Sequence, residues 1–214
     1  MALKTGDFVE LEYTGQLKED GSVFDTTSKD IAVKAGIFNE KSAYGPVIIA
    51  LGGKHLLQGL DKALEGKETG KSYTMELEPE NAFGKKDAKL LKLISTAKFK
   101  KQGVNPMPGL RITIDGLMGT VKTVTGGRTI VDFNHPLSGR VVVYDIKVLR
   151  TITEVKEKLI ALLKLELYEA DPKVELSEGV ASVKLSEKLP AEITDNFKAS
   201  ALKLITELKD VKFD

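Results

Sequence analysis

Pro46-Val47-Ile48-Ile49-Ala50-Leu51-Gly52-Gly53, then His55-Leu56-Leu57-Gln58-Gly59-Leu60-Asp61-Lys62-Ala63-Leu64 and Gly66, carries two structural periods in one run. The first half is a short continuous apolar segment closed by a glycine pair, the pattern of a buried strand. In the second half Leu56, Leu57, Leu60 and Leu64 recur at helical spacing, and Gly66 stands where a helix C-terminal cap belongs. The flanks return to period two. Phe8-Val9-Glu10-Leu11-Glu12-Tyr13 mixes apolar and acidic residues as a half-buried strand does. Lys18 to Ser22 has the Asp and Gly of a turn. Lys71 to Glu78 alternates again, and Pro79 marks the strand exit. One helix among strands predicts an α+β fold. Between Thr26 and Gly45 the chain makes a polar excursion, long enough to be a functional surface loop.

Further along, Asp87 to Phe99 reads as a lysine-rich, partly helical or extended lead-in. Three strand-like runs follow, Leu110–Asp115, Met118–Val124 and Arg128–Phe133, with Gly126-Gly127 as a tight hairpin between the last two. Val141 to Leu149 looks like a core strand of the first module, resumed after an insertion. Ile152 to Tyr168 carries Val155, Leu159, Leu162, Leu163 and Leu167 on one helical face. Short strands at Val174–Leu176 and Val180–Leu185, a helix over about Ala191–Leu208 and a closing strand at Val211–Phe213 complete a third unit.

Charge divides the chain in the same places. Residues 85–133 hold ten Lys/Arg against Asp87, Asp115 and Asp132, whereas both remaining parts are slightly acidic and the whole carries a formal charge of only +1. The expected organisation is therefore a first domain of residues 1–84 plus 134–151, a basic insert of 85–133 and a C-terminal α+β domain of 152–214.

The composition excludes several chemistries. In 214 residues there is no cysteine, which removes disulfides, thiol nucleophiles and thiolate metal sites. With two histidines, His55 and His135, no multi-histidine metal site is expected. No apolar run approaches the ~20 residues of a spanning helix, and the opening Met-Ala-Leu-Lys-Thr-Gly-Asp lacks the apolar stretch of a secretory leader, so a cytoplasmic chain is expected. The run from Gly66 to Ser72 resembles a phosphate loop. However, it has three rather than four residues between its glycines, and it leads from helix to strand rather than from strand to helix. His135 reads as a hydrogen-bonding turn residue. The basic insert has Phe99 and Phe133 as its aromatics, too few to stack bases well, so a solvated face outweighs nucleic-acid binding.

Four motifs carry a more specific reading: Gly21-Ser22-Val23-Phe24-Asp25-Thr26-Thr27, Leu56-Leu57-Gln58-Gly59-Leu60, Asn81-Ala82-Phe83-Gly84 and Asn134-His135-Pro136-Leu137-Ser138-Gly139. In order and approximate spacing they resemble the FKBP-type peptidyl-prolyl cis-trans isomerases. The long insert after Asn81–Gly84 resembles the SlyD-like subgroup with its insert-in-flap chaperone domain, and the third unit resembles the C-terminal extension of the larger archaeal members. The resemblance implies a bent antiparallel sheet wrapped around the Leu56–Leu64 helix, with an apolar prolyl pocket between them. It assigns Tyr13, Phe24, Asp25, Leu57, Phe83 and Tyr144 to catalysis, with Val47 and Ile49 as wall and Leu56 and Leu60 as floor. Leu60 stands where eukaryotic members often have Trp, and Phe83 where Tyr is common, which removes one hydroxyl.

Isomerisation requires rotation against an amide barrier of ~18–20 kcal/mol and breaks no covalent bond. A chain without cysteine and with two histidines is compatible with that chemistry, and no cofactor or metal is expected. Asp25 is expected to act electrostatically on the rotating carbonyl. In the insert Ile112, Ile114, Met118 and Val121, together with other apolar residues, either bind unfolded chains or pack into a small private core. The expected partners are unfolded or proline-containing polypeptides, and a second copy through the C-terminal unit. A holdase-type chaperone with little isomerase activity is the alternative function. The nickel-binding, histidine-rich tail of SlyD proteins has no counterpart in the sequence.

Overall fold

A computed structural model describes residues 2–213. In chain order the elements are β1 (Phe8–Leu17), β2 (Val23–Thr26), α1 (Lys29–Lys34), β3 (Val47–Ala50), α2 (Gln58–Leu64), β4 (Ser72–Leu77), β5 (Leu91–Ser95), α3 (Thr96–Lys101), β6 (Arg111–Ile114), β7 (Leu117–Thr125) and β8 (Arg128–Asp132). They continue with β9 (Val142–Ile152), α4 (Val155–Glu166), β10 (Lys173–Ser177), β11 (Val180–Lys184), α5 (Ala191–Leu204) and β12 (Asp210–Phe213). The chain divides into two compact units, one formed by residues up to Leu77 and from Val141 onward, the other by Glu78–Arg140.

In the first unit β1 is the hub. One edge pairs antiparallel with β9 from Phe8↔Ile152 to Leu17↔Val142. The other edge is shared: Phe8–Leu11 pair with β3, and Thr14–Gln16 with β2. β4 closes the far side of β9. Alternation fixes the faces. Val9, Leu11 and Leu17 are buried with Tyr144, Ile146 and Val148. Glu10, Glu12 and Lys147 lie on the opposite face, with Arg150 Nε 2.7 Å from Glu10 Oε2. Leu60 and Leu64 of α2 are buried, each such leucine contributing roughly 1.5–3 kcal/mol.

The sequence reading differs from the structure in two places here. The polar excursion is not all loop, since Lys29–Lys34 forms α1, capped by Ser28, whose hydroxyl accepts the N–H of Ile31. A six-residue helix is too short for hydrophobic periodicity to register. Residues 152–213, expected as a unit of their own, share a core with the sheet: Leu159, Leu162, Leu163, Phe197 and Ile205 pack in one cluster with Phe8, Ala50 and Ile152. β1 is thus buried on both faces at its start, Phe8 on one side and Val9 on the other. Within this segment β10 and β11 form a hairpin, and β12 returns through α5 to pair parallel with β11.

The second unit is an antiparallel sheet in the order β5-β8-β7-β6 with α3 beside it. β5 falls within the expected lysine-rich lead-in. Its Leu91-Lys92-Leu93-Ile94 pairs with β8, but only Ile94 is sunk into the core, so its alternation is weak. The core is small, with Phe99, Val121 and Val131 ringed by half-buried Ile112, Ile114 and Phe133. Of the two readings left open for Val121, a client surface or a private core, its position is that of a core residue. At 0% exposure it belongs to that core and has no surface to offer a client, because its side chain points inward beside Val131. Met118, in contrast, is 69% exposed, and Leu93 and Leu117 are 61% and 62% exposed.

Candidate active site

A cavity of about 400 Å³ opens in the first unit where β1 changes partner. Pairing with β3 ends at Leu11↔Val47 and pairing with β2 begins at Thr14↔Thr26, so no strand lies beside Glu12 and Tyr13 on that edge. The gap is bridged by Thr27. Its N–H donates to the Tyr13 carbonyl at 3.0 Å, and its hydroxyl oxygen accepts the Tyr13 N–H at 2.9 Å. Tyr13, Phe24, Asp25 and Val47 line the cavity with Ala32, Ile37, Asn39 and Tyr44 of the excursion.

The aromatic residues interlock. The Phe24 and Tyr144 rings meet edge to face, with centroids 5.7 Å apart and planes at 80°. Tyr13 and Tyr144 lie 6.0 Å apart with planes tilted by 52°. The Tyr13 hydroxyl donates to Asp25 Oδ2 at 3.0 Å. Burial, reinforced by the Asp25 charge, pushes both the Tyr13 and Tyr144 hydroxyls well above the ordinary tyrosine range. Both therefore remain protonated donors at any physiological pH. Asp25 is an exposed residue that also lines the cavity, its carboxylate held from one side by Tyr13.

Sequence reasoning did not identify the far wall. Phe38 and Tyr44 stack with centroids 5.5 Å apart, and the Tyr44 hydroxyl accepts the Asn39 N–H at 3.0 Å. Two aromatics spaced six apart in a polar stretch were the available signal. Gly15 was also missed. It pairs with both Asp25 and Tyr144, and a Cβ there would stand 2.9 Å from the Phe24 Cζ and 2.9 Å from the Tyr144 Cε1. The missing side chain is what admits both rings.

The other expected residues lie elsewhere. Ile49 is 1% exposed and Leu60 2% exposed, both in the interior and not among the cavity's lining residues. Leu56 and Leu57 are half-buried in the connection between β3 and α2, with Leu57 as the N-terminal cap of α2. Phe83 belongs to the second unit and stacks on His135 at 4.8 Å, with planes 1° apart. His135 is the turn residue expected, its Nδ1 accepting the Leu137 N–H at 3.2 Å. A second depression of about 400 Å³ lies over Glu12, Thr14, Thr74, Asp145 and Lys147. Its lining also includes Ile31, Tyr73 and Ile146, but Phe24, Asp25 and Val47 line only the first cavity.

The first cavity mixes the rings of Tyr13, Phe24 and Tyr44 and the apolar Ala32, Ile37 and Val47 with polar Asp25, Thr27, Asn39 and Ser42, so it can bind a small ring by shape and a neighbouring amide by polar contact. A family described as "FKBP-type peptidyl-prolyl cis-trans isomerase" matches residues 1–102, and one described as "FKBP26, IF domain" matches residues 92–137. The chain is 31% identical over 146 residues to a "Short-type peptidyl-prolyl cis-trans isomerase" of Methanocaldococcus jannaschii, covering 68% of this chain and 92% of that one. It is 34% identical over 108 residues to the "FKBP-type 16 kDa peptidyl-prolyl cis-trans isomerase" of Escherichia coli, covering 49% and 72%. With the "FKBP-type peptidyl-prolyl cis-trans isomerase SlyD" of Haemophilus influenzae it shares 29% over 138 residues, covering 62% and 72%.

Replacing Gly15 by Ala forces Phe24 and Tyr144 apart and lowers the binding of any ligand that uses the slot. Displacements approaching 1 Å cost up to about 100-fold in the steps they misalign. A Gly15→Ala chain with unchanged far-UV circular dichroism and shifted Phe24 and Tyr144 ring resonances is the expected result.

Proposed function

The chain belongs to the FKBP-type peptidyl-prolyl cis-trans isomerases, and from that premise we propose that catalysis takes place in the slot formed by Tyr13, Phe24, Asp25, Val47 and Tyr144. The observation that carries this reading is the Tyr13–Asp25 hydrogen bond at the mouth of an aromatic-walled cavity. An X-Pro amide is held planar by resonance that places negative charge on its carbonyl oxygen. The rings of Tyr13, Phe24 and Tyr44 withdraw part of the water that stabilises this charge-separated form. They receive the proline ring by shape, so the twisted amide is bound better than either planar isomer.

The nitrogen of the twisted amide becomes pyramidal and its carbonyl rotates past the rim, where Asp25 and the Tyr13 hydroxyl lie. Tyr13 orients the carboxylate, and its suppressed ionisation keeps it a donor. We assign the substrate's other anchor to the backbone N–H of Leu57. As the cap of α2, Leu57 sits where helix N–H groups lack intrahelical partners. Leu56 and buried Leu60 back this region. No bond is made or broken, and each part of the assignment is a matter of shape and fixed dipoles.

The insert takes a complementary role as a client-binding surface, supported by exposed Leu93, Leu117 and Met118 around a small core. Methionine and leucine side chains adapt to varied apolar partners, and the insert's lysines keep the surface soluble. Of the residues expected to bind clients, Met118 has the exposed area for it. Ile112 and Ile114 contribute partly, being half sunk into the core. No helix among the described residues is long and apolar enough to cross a membrane. We further propose a cytoplasmic setting, supported by a sequence without cysteine.

Three measurements test these assignments. Asp25→Ala lowers kcat/KM for a proline-containing tetrapeptide by about 10- to 100-fold, the worth of one charged hydrogen-bonding group, with the fold retained. Unchanged cis–trans exchange in this variant would remove Asp25 from the mechanism. Leu93→Ser with Met118→Ser weakens suppression of client aggregation by a larger factor than it changes tetrapeptide turnover, and equal effects would argue against a separate client surface. Pairing of two copies through the C-terminal segment, supported by exposed Tyr168, Leu176 and Ile193, predicts a light-scattering mass near twice 23.3 kDa; a monomer refutes it.

A further inference from the structure

The linker Leu51–Leu57 joins β3, which ends three residues beyond cavity-lining Val47, to α2. It winds around one imidazole. Gly52 and Lys54 both have left-handed backbones, φ 76° and 63°, and a Cβ at Gly53 would stand 2.9 Å from the His55 Cε1. His55 Nδ1 accepts the Ala50 N–H at 3.1 Å. In the neutral ring this places the proton on Nε2, which faces Glu166 Oε1 at 3.3 Å. The same carboxylate oxygen accepts the Ser200 hydroxyl at 2.9 Å. Glu166 is the last residue of α4 and Ser200 lies in α5. Two helices of the C-terminal segment therefore converge on the residue that immediately precedes Leu56 and Leu57.

The arrangement does more than fasten the segments together. The shared core of Phe8, Leu162 and Phe197 already does that without direction. Hydrogen bonds at both ring nitrogens fix the orientation of an imidazole whose side chain is 9% exposed. A fixed ring fixes the backbone that carries it. The His55 ring is nearly buried while Glu166 and Ser200 are partly buried, so an unsatisfied ring nitrogen would cost desolvation and the three hydrogen bonds hold as a set.

We infer that His55, Glu166 and Ser200 form a positioning relay through which the C-terminal segment sets the backbone at Leu56–Leu57, and with it the Leu57 N–H offered to the substrate. The inference rests on the assignment of that N–H as a substrate anchor. None of the three touches substrate, and they act through the linker.

The test uses the full chain with Glu166→Ala, Glu166→Gln and Ser200→Ala, a proline-containing tetrapeptide and the Leu57 amide resonance. An anchor used equally by ground and transition states affects KM and leaves kcat unaltered. Glu166→Ala raises KM about fivefold, the worth of one net hydrogen bond, with kcat within twofold, and displaces the Leu57 amide. Gln retains an acceptor oxygen, so Glu166→Gln restores both. Ser200→Ala shifts them in the same direction by less, and keeps the test open if Glu166→Ala fails to fold. An unmoved KM in a folded variant, or equal loss with Ala and Gln, overturns the relay. Titrating the wild-type protein with peptide examines the anchor itself. If the Leu57 amide does not respond, the anchor assignment fails, whereas its response to Glu166→Ala still reports on the relay.

Discussion

β1 offers two hydrogen-bonding edges, and one of them is divided between two partners. That division is the constraint on which the rest of the site depends. A single long strand beside β1 would have sealed the edge at Glu12 and Tyr13. Instead β3 stops at Val47 and β2 begins at Thr26, and the chain between them must leave the sheet. The slot is the resulting gap. Thr27 satisfies the Tyr13 backbone so that the gap leaves no orphaned peptide group. The aromatic rings enter from the strands on either side, and Gly15 gives them room. The cavity therefore follows from strand lengths rather than from any reactive side chain.

β1, β4 and β9 and the helix α2 were legible because each carries its period in the sequence, and β3 because it is a short continuous apolar run closed by glycines. Phe8-Val9 also carried a signal that alternation alone does not interpret. Two adjacent apolar residues at a strand start mean burial on both faces, and the structure supplies the second cover from α4 and α5. α1 was not legible, because six residues with one buried alanine have no stripe to detect. β5 was obscured by its exposure, since Leu91 and Leu93 point outward beside lysines.

Within the site, Tyr13, Phe24, Asp25, Val47 and Tyr144 were reached through motif resemblance and are gathered around one cavity or in ring contact with it. The excursion's wall was not reached. Tyr44 and Asn39 meet through a turn whose geometry no local period encodes. Ile49 was placed on the wall through the resemblance, and Val121 was left open between a client surface and a private core. Both side chains are buried, and whether a strand face meets solvent or another layer depends on elements far along the chain. The polar relay at His55 combines residues from three elements and has no sequence signature.

The second unit leaves the sheet after Leu77 and the chain re-enters at Val142, and these two residues are cross-strand neighbours. This has a kinetic consequence. β1 can complete its pairing only with β9, the last of the sheet's strands to be synthesised, so closure of the sheet is a long-range event of the kind that slows folding. The insert's own hairpins are local and form early. The longer-range pairing of β5 with β8 and the bond from the Gly139 N–H to the Gly84 carbonyl at 2.8 Å bring the insert's two ends together, and once made they shorten the loop that remains to be closed and lessen its entropic cost. The inserted unit thus serves as a splint for the sheet that interrupts itself to contain it.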